Sequence, residues 1–142
     1  MGESEAVEDY LEAIYVLMRR KGLARVRDLS SLLNVKAPTV TEMVQKLARR
    51  GLVIYERYRG VRLTPEGEEI AKGVLERHEV LKRFLRILGL DEEIAEEDAC
   101  RMEHYLHAET VERLSKFVEF VLSAPGASWL KRFKEFCSAE GG

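Results

Sequence analysis

The chain has 142 residues, 46% hydrophobic and 34% charged, with three prolines and a formal net charge of −2. That length suits one domain, or two small ones sharing an interface, and the composition suits a soluble, helix-rich chain with a sizeable core. No apolar run approaches the ~20 residues of a membrane span, and residues 1–9 are acidic without a signal-peptide core, so the expected location is cytoplasmic, with Cys100 and Cys137 as thiols.

The small net charge hides an asymmetry. Between Arg19 and Arg62 there are twelve Lys/Arg against three Asp/Glu; the remainder carries eleven against twenty-two. A basic segment inside an acidic chain points to one face meant for a polyanion.

Residues 3–20 place Val7, Leu11, Ile14, Tyr15 and Met18 at helical spacing, with Ser4 as N-cap and Lys21-Gly22 as the stop. Asp9 and Glu12 stand three apart, on one side of this helix. Alone, they read as acidic residues complementing the charge of a helix N-terminus.

Residues 26–33 read as a short helix whose apolar side is Leu29, Leu32 and Leu33. Asn34-Val35 is a tight turn. A second helix starts near Ala37-Pro38 and runs to Arg50, where Gly51 stops it. Helix, short turn, helix is the helix-turn-helix outline. The second helix opens on Lys36, Ala37, Pro38, Thr39 and Thr41. Such small and hydroxyl side chains let its first turn approach a groove and bond phosphates or base edges. Gln45 and Lys46 continue that polar side.

Residues 52–58, with Val53, Ile54 and Tyr55, and residues 61–63 read as two short strands about an Arg59-Gly60 turn. A hairpin directly after a helix-turn-helix is a wing. Its tip, Arg57, Tyr58 and Arg59, suits phosphates or the minor groove; the plainer reading is an ordinary exposed hairpin.

Thr64 caps a long helix that begins at Pro65, with Gly67 where a Glu would complete a capping box. Ile70, Val74, Leu75, Leu81, Leu85 and Leu88 carry it to Gly89. His78 sits midway, and a lone helical His reads first as a core or surface residue. Residues 91–106 form the next helix. There Cys100, Glu103 and His104 fall at i, i+3 and i+4, so a thiol, a carboxylate and an imidazole share one face. These three residues read equally as metal ligands or as a half-buried Cys beside a solvated Glu-His pair. His107 is an extra donor without an assigned role. Residues 109–122 are helical, Ser123-Ala-Pro-Gly126 reads as a break, and residues 128–140 form a last helix. Its apolar side holds Trp129, Leu130, Phe133, Phe136 and Cys137, with Cys137 expected in core packing.

Five dispersed stretches together resemble the diphtheria toxin repressor family of metal-dependent transcriptional repressors. They are Glu8-Asp-Tyr-Leu-Glu-Ala-Ile-Tyr15, Ala37-Pro-Thr-Val-Thr41, Leu63-Thr-Pro-Glu-Gly67, Arg77-His78 and Cys100-Arg-Met-Glu-His104. The resemblance covers roughly residues 4–122. An end at residue 142 fits the manganese transport regulator branch, with the helix at 128–140 as its last, and not the longer members that carry an SH3-like domain. The implied fold is mainly α: an N-terminal winged helix-turn-helix DNA-binding domain over residues 1–70, then a C-terminal helical metal-binding and dimerisation domain over residues 71–142.

The resemblance implies a regulatory metal held by Asp9, Glu12, His78, Cys100, Glu103 and His104. The manganese branch usually has a carboxylate where this chain has Cys100, and the iron branch usually has Met where it has Asp9. Ligand softness leaves the ion open: Mn²⁺ or Fe²⁺, with Co²⁺ or Zn²⁺ as substitutes. The iron branch builds an ancillary site from a Glu and a second His at positions that are Lys82 and Glu96 here. Also implied are a double-stranded DNA operator and self-association as a homodimer, with no membrane, no organic cofactor and no enzymatic role. The expected function is metal-activated repression of metal-uptake and homeostasis genes. DNA would be met by Lys36, Ala37, Pro38, Thr39, Thr41, Gln45, Lys46, Arg57, Tyr58 and Arg59. The alternative is a metal-independent winged-helix regulator sensing a small organic ligand.

Overall fold

A computed structural model describes residues 3–141. Met1, Gly2 and Gly142, which belong to the expected acidic start and to the ends of the expected domains, lie outside the described residues. The elements are α1 Glu5–Lys21, α2 Val26–Leu33, α3 Ala37–Arg49, β1 Val53–Glu56, β2 Gly60–Leu63, α4 Pro65–Ile87, α5 Glu92–Met102, α6 Ala108–Leu122 and α7 Ala124–Gly141. The chain divides within α4 into two compact units, one up to Leu75 and one from Glu76.

In the first unit, the Ser4 hydroxyl accepts the Val7 N–H at 3.3 Å, starting α1. Gly22, in the left-handed region, ends it by donating to the Met18 carbonyl at 2.7 Å. Of the periodic residues, Val7, Leu11 and Ile14 are buried in a core completed by Leu17, Leu29, Val40, Val44 and Leu47, and Tyr15 and Met18 pack against it partly buried. Between α2 and α3, Asn34 takes φ 56 and the Ser30 hydroxyl donates to the Val35 carbonyl at 2.5 Å, holding the turn. The outline is therefore the expected helix-turn-helix. Leu32, expected on the apolar side of α2, is instead 48% exposed.

The wing is an antiparallel pair in the register Val53↔Leu63 to Glu56↔Gly60. The first strand stops at Glu56, short of residue 58, because residues 57–59 make the turn and Tyr58 takes φ 74. Ala24 adds a bridge to Val61, with backbone bonds of 3.1 and 2.6 Å. That close approach explains Gly60. Its φ is +114, and a Cβ there would lie 2.5 Å from Leu23 Cδ1 and 2.7 Å from the Ala24 oxygen. Gly67 has a similar cause. Thr64 Oγ1 accepts the Gly67 N–H at 3.2 Å and donates to the Gly51 carbonyl at 2.7 Å. A Cβ on Gly67 would overlap the Leu52 carbonyl oxygen, so no Glu can complete the capping box.

In the second unit, Leu81, Leu85, Ala95 and Ala99 form a small core with Phe84, Leu90, Met102, Leu106 and Leu114 against it. Asp91 caps α5, its carboxylate accepting the Ile94 N–H at 2.8 Å. This helix stops at Met102 and not at residue 106, because the chain tightens into a turn in which the Tyr105 N–H reaches the Met102 carbonyl at 3.1 Å. The expected break at residues 123–126 shrinks to Ser123. Its hydroxyl donates to the Phe120 carbonyl at 2.6 Å, and α7 starts at once with Pro125 in its first turn, where a missing N–H costs nothing. Cys137, expected in a core, is exposed, and Trp129, Phe133 and Phe136 share that fate. Among the described residues, the apolar side of α7 is left largely uncovered.

Candidate metal centre and nucleic-acid interface

Two helices and one helix end build a polar cluster in the second unit. α4 supplies His78, and α5 supplies Glu96 and Cys100, four apart and hence on one face. The end of α5 supplies Glu103 and His104. His78 Nδ1 lies 2.8 Å from Glu103 Oε2, and its Nε2 lies 3.0 Å from Glu96 Oε1. Cys100 Sγ is 3.8 Å from the same Nδ1. One donor atom each from His78, Glu96 and Cys100 fall within 4.8 Å of one another. His104 Nε2 is 3.5 Å from Glu103 Oε1, and both side chains are almost fully buried.

Glu103 follows the last residue of α5 but keeps helical dihedrals, φ −58 and ψ −22. Its carboxylate therefore still points along the face Cys100 occupies, while His104 enters the turn with its ring edge-on to Tyr105. Arg77 Nε donates to the Glu103 carbonyl at 2.9 Å and fixes this end of the helix. The hydrogen bond that His78 donates to Glu103, supported by the one to Glu96 and opposed by burial, lifts His78 from 6.5 to about 9. Glu96 is held below its ordinary value: burial would raise it, but hydrogen bonds from His78 and Lys82 outweigh that. Lys82 Nζ lies 3.1 Å from Glu96 Oε2 and 3.3 Å from Glu92 Oε1.

In the first unit, Asp9 and Glu12 sit half-buried one turn apart on α1, beside the buried Glu8. His107 is exposed at the start of α6 and joins none of the donor clusters found among the described residues. The chemistry of the second unit's donors fits a divalent metal. It combines imidazoles, a thiol and carboxylates, and one of the carboxylates, Glu103, is turned away from water, where an anion needs a cationic or hydrogen-bonding partner. Glu96 is not among the ligands expected from the sequence; its four-residue spacing to Cys100 puts the two on one face but does not say which imidazole they meet.

The first unit also carries the basic face. Lys36, Ala37, Pro38 and Thr39 are exposed at the start of α3; Thr41 is half-buried, and Gln45 and Lys46 are exposed one turn on. At the wing tip Tyr58 is 86% exposed, with the Arg57 guanidinium 5.3 Å from its ring centre. Arg59 is paired with Glu56 at 3.5 Å, an exposed bridge that competes weakly with a phosphate. Arg25 and Arg27, absent from the expected contacts, join Val26, Tyr55, Arg57 and Tyr58 around a hollow of about 390 Å³. Their signal was the basic segment itself.

Residues 4–61 match the family described as "Iron dependent repressor, N-terminal DNA binding domain", and residues 64–127 match "Iron dependent repressor, metal binding and dimerisation domain". The HTH-type transcriptional regulator MntR of Lysinibacillus sphaericus is 42% identical over 120 residues, 84% of this chain and 86% of that protein. The regulator of the same name from Bacillus pumilus is 46% identical over 115 residues, 81% of this chain and 80% of that protein. Among solved structures, the manganese regulator SloR superposes with a TM-score of 0.70 at 32% identity, covering 84% of this chain and 55% of that one. A manganese-dependent transcriptional repressor in complex with manganese gives 0.71 at 27% identity, covering 80% and 53%. This chain thus spans about half the length of those two solved chains and most of the length of the MntR relatives.

Proposed function

The chain belongs to the iron dependent repressor family, and on that premise we propose that it represses metal-uptake and homeostasis genes as a DNA-binding homodimer activated by Mn²⁺ or Fe²⁺. The observation that carries the reading is the convergence of Cys100 and Glu103 on His78 Nδ1, in the chain that also presents an exposed α3 start and a basic wing.

The proposed ligands are Asp9 and Glu12 from the first unit and His78, Cys100, Glu103 and His104 from the second. When bound, a divalent cation supplies two positive charges and a preferred coordination geometry. The residues do the rest. Glu103 and His104, turned away from water, hold a fixed place at the end of α5. Cys100 and His78 each give up a proton on the ligating atom, so acid opposes loading. Drawing carboxylates from α1 to donors on α4 and α5 ties the DNA-reading unit to the helices that dimerise. In a two-fold dimer that tie sets the separation of the two α3 helices, which must match major grooves ~34 Å apart. A coupling of ~1–3 kcal/mol corresponds to roughly 5- to 150-fold in DNA affinity.

At the DNA, the proposed roles follow the chemistry. Thr39, Thr41 and Gln45 meet base edges or phosphates, with Ala37 and Pro38 permitting close approach. Lys36, Lys46, Arg57 and Arg59 meet phosphates beside Tyr58. The test is fluorescence anisotropy on the gene's own upstream region, anaerobically, with chelator and then with Mn²⁺, Fe²⁺, Co²⁺ and Zn²⁺ in turn. Binding that requires metal supports the proposal; equal binding with chelator contradicts it.

A further inference from the structure

A neutral imidazole can ligate a metal through one nitrogen only, and the other then carries a hydrogen that needs an acceptor. Which nitrogen of His78 ligates is therefore a question of what surrounds each. On the Nδ1 side stand Glu103 Oε2 at 2.8 Å and Cys100 Sγ at 3.8 Å, two donors already in the proposed ligand set. On the Nε2 side stands Glu96 Oε1 at 3.0 Å. The other Glu96 oxygen is engaged by Lys82 Nζ at 3.1 Å, and that ammonium also meets Glu92. A carboxylate already holding an ammonium is a weakened metal ligand but remains a good hydrogen-bond acceptor.

We propose that Glu96 is the positioning residue of the metal centre: it accepts the Nε2–H of His78 and so turns the Nδ1 lone pair toward Cys100 and Glu103. Lys82 anchors Glu96 in turn, so the chain His78–Glu96–Lys82 orients a ligand without touching the ion. This deepens the metal-regulator reading and rests on it for the roles of His78, Cys100 and Glu103. Partners of this kind fix the tautomer of a ligating His and raise its basicity, and their loss typically costs 10- to 100-fold in metal affinity.

The test has two arms, both on the full chain. In the first, Zn²⁺ alone is added to ¹⁵N-labelled protein and long-range ¹H–¹⁵N correlations of the His78 ring are recorded. The expected pattern is a protonated Nε2 and a metal-bound Nδ1; a protonated Nδ1 with a metal-bound Nε2 overturns the proposal and would put Glu96 on the metal side. This arm uses the unaltered protein, so it stands even if a variant misfolds. In the second arm, anaerobic Co²⁺ titrations follow the thiolate-to-cobalt band. Glu96→Ala should weaken Co²⁺ binding 10- to 100-fold with the band unmoved, and Glu96→Gln, whose amide oxygen still accepts, should recover part of the loss. Unchanged affinity in Glu96→Ala, or a shifted spectrum, overturns it. If the unaltered chain binds neither ion, or gives no thiolate band, the underlying ligand set fails, and with it this proposal. That result is distinct from a normal band with Glu96 irrelevant.

Discussion

His78 Nδ1 and Glu103 Oε2 stand 2.8 Å apart with side chains 9% and 1% exposed, an imidazole and a carboxylate facing each other out of water. The hydrogen bond it donates to Glu103 is the main reason His78 holds its proton up to about 9. On the proposed ligand set, a metal must replace that proton. Affinity for Mn²⁺ or Co²⁺ should therefore rise with pH up to about 9, by about tenfold per unit for each proton displaced. Competition against a chelating dye between pH 6 and 8.5 measures this, and a flat profile speaks against His78 as a ligand. The metal-free chain has the opposite dependence. The His78 pKa is raised on folding, so its contribution to stability is full below 6.5 and is lost as pH climbs through about 9. Denaturation with urea in chelator, at pH 6 and pH 9, reads that loss directly.

The proposed DNA contacts of the basic face are of two kinds. Single changes Arg25→Ala, Arg27→Ala and Lys46→Ala should each weaken binding about equally on all DNA sequences and reduce the salt slope by roughly one. Thr39→Ala should instead alter the preference among sequences. Anisotropy at several salt concentrations, on operator and on scrambled DNA, separates the two.

Gly67 packs against the Leu52 carbonyl. Gly67→Ala forces the start of α4 away from the wing and should cost more than ~1 kcal/mol, seen as a lower urea midpoint. A control at Gly73, where an added Cβ meets nothing within 4 Å, should be neutral or slightly stabilising. Equal effects at both positions would remove the steric explanation.

Trp129, Phe133 and Phe136 leave α7 with an apolar side exposed by 59%, 38% and 63%. If the proposed homodimer uses this side, Phe136→Glu should shift sedimentation toward monomer while circular dichroism keeps its helical signal. A variant that still sediments as a dimer would move the interface elsewhere.

Much of the first unit was legible because its signals are local. Ser4, Gly22, Pro38 and Thr64 punctuate helices whatever else the chain does. The Ala24–Val61 bridge was not legible, since a single backbone pair thirty-seven positions apart leaves no periodic trace. The donors at Cys100, Glu103 and His104 stood out by spacing, but only the resemblance to a known family singled out His78 as a ligand. The place of Glu96 needed the fold, because nothing in the sequence says which carboxylate of an acidic helix meets which imidazole nitrogen. The end of α5 at Met102 was missed for a related reason: Glu103 keeps helical dihedrals, so the pattern runs on after the hydrogen bonding has tightened.

The central claim is that metal at the His78–Cys100–Glu103–His104 centre and DNA at α3 are coupled. Linkage makes that coupling reciprocal. The most direct measurement is the full square: DNA affinity with and without Mn²⁺, and Mn²⁺ affinity with and without operator DNA. The wild-type chain and a Glu103→Ala/His104→Ala variant would be measured side by side. The account predicts one common factor of roughly 5- to 150-fold on both sides of the square for the wild type, and a factor near one in the variant. DNA binding equally tight with and without metal in the wild type would contradict it.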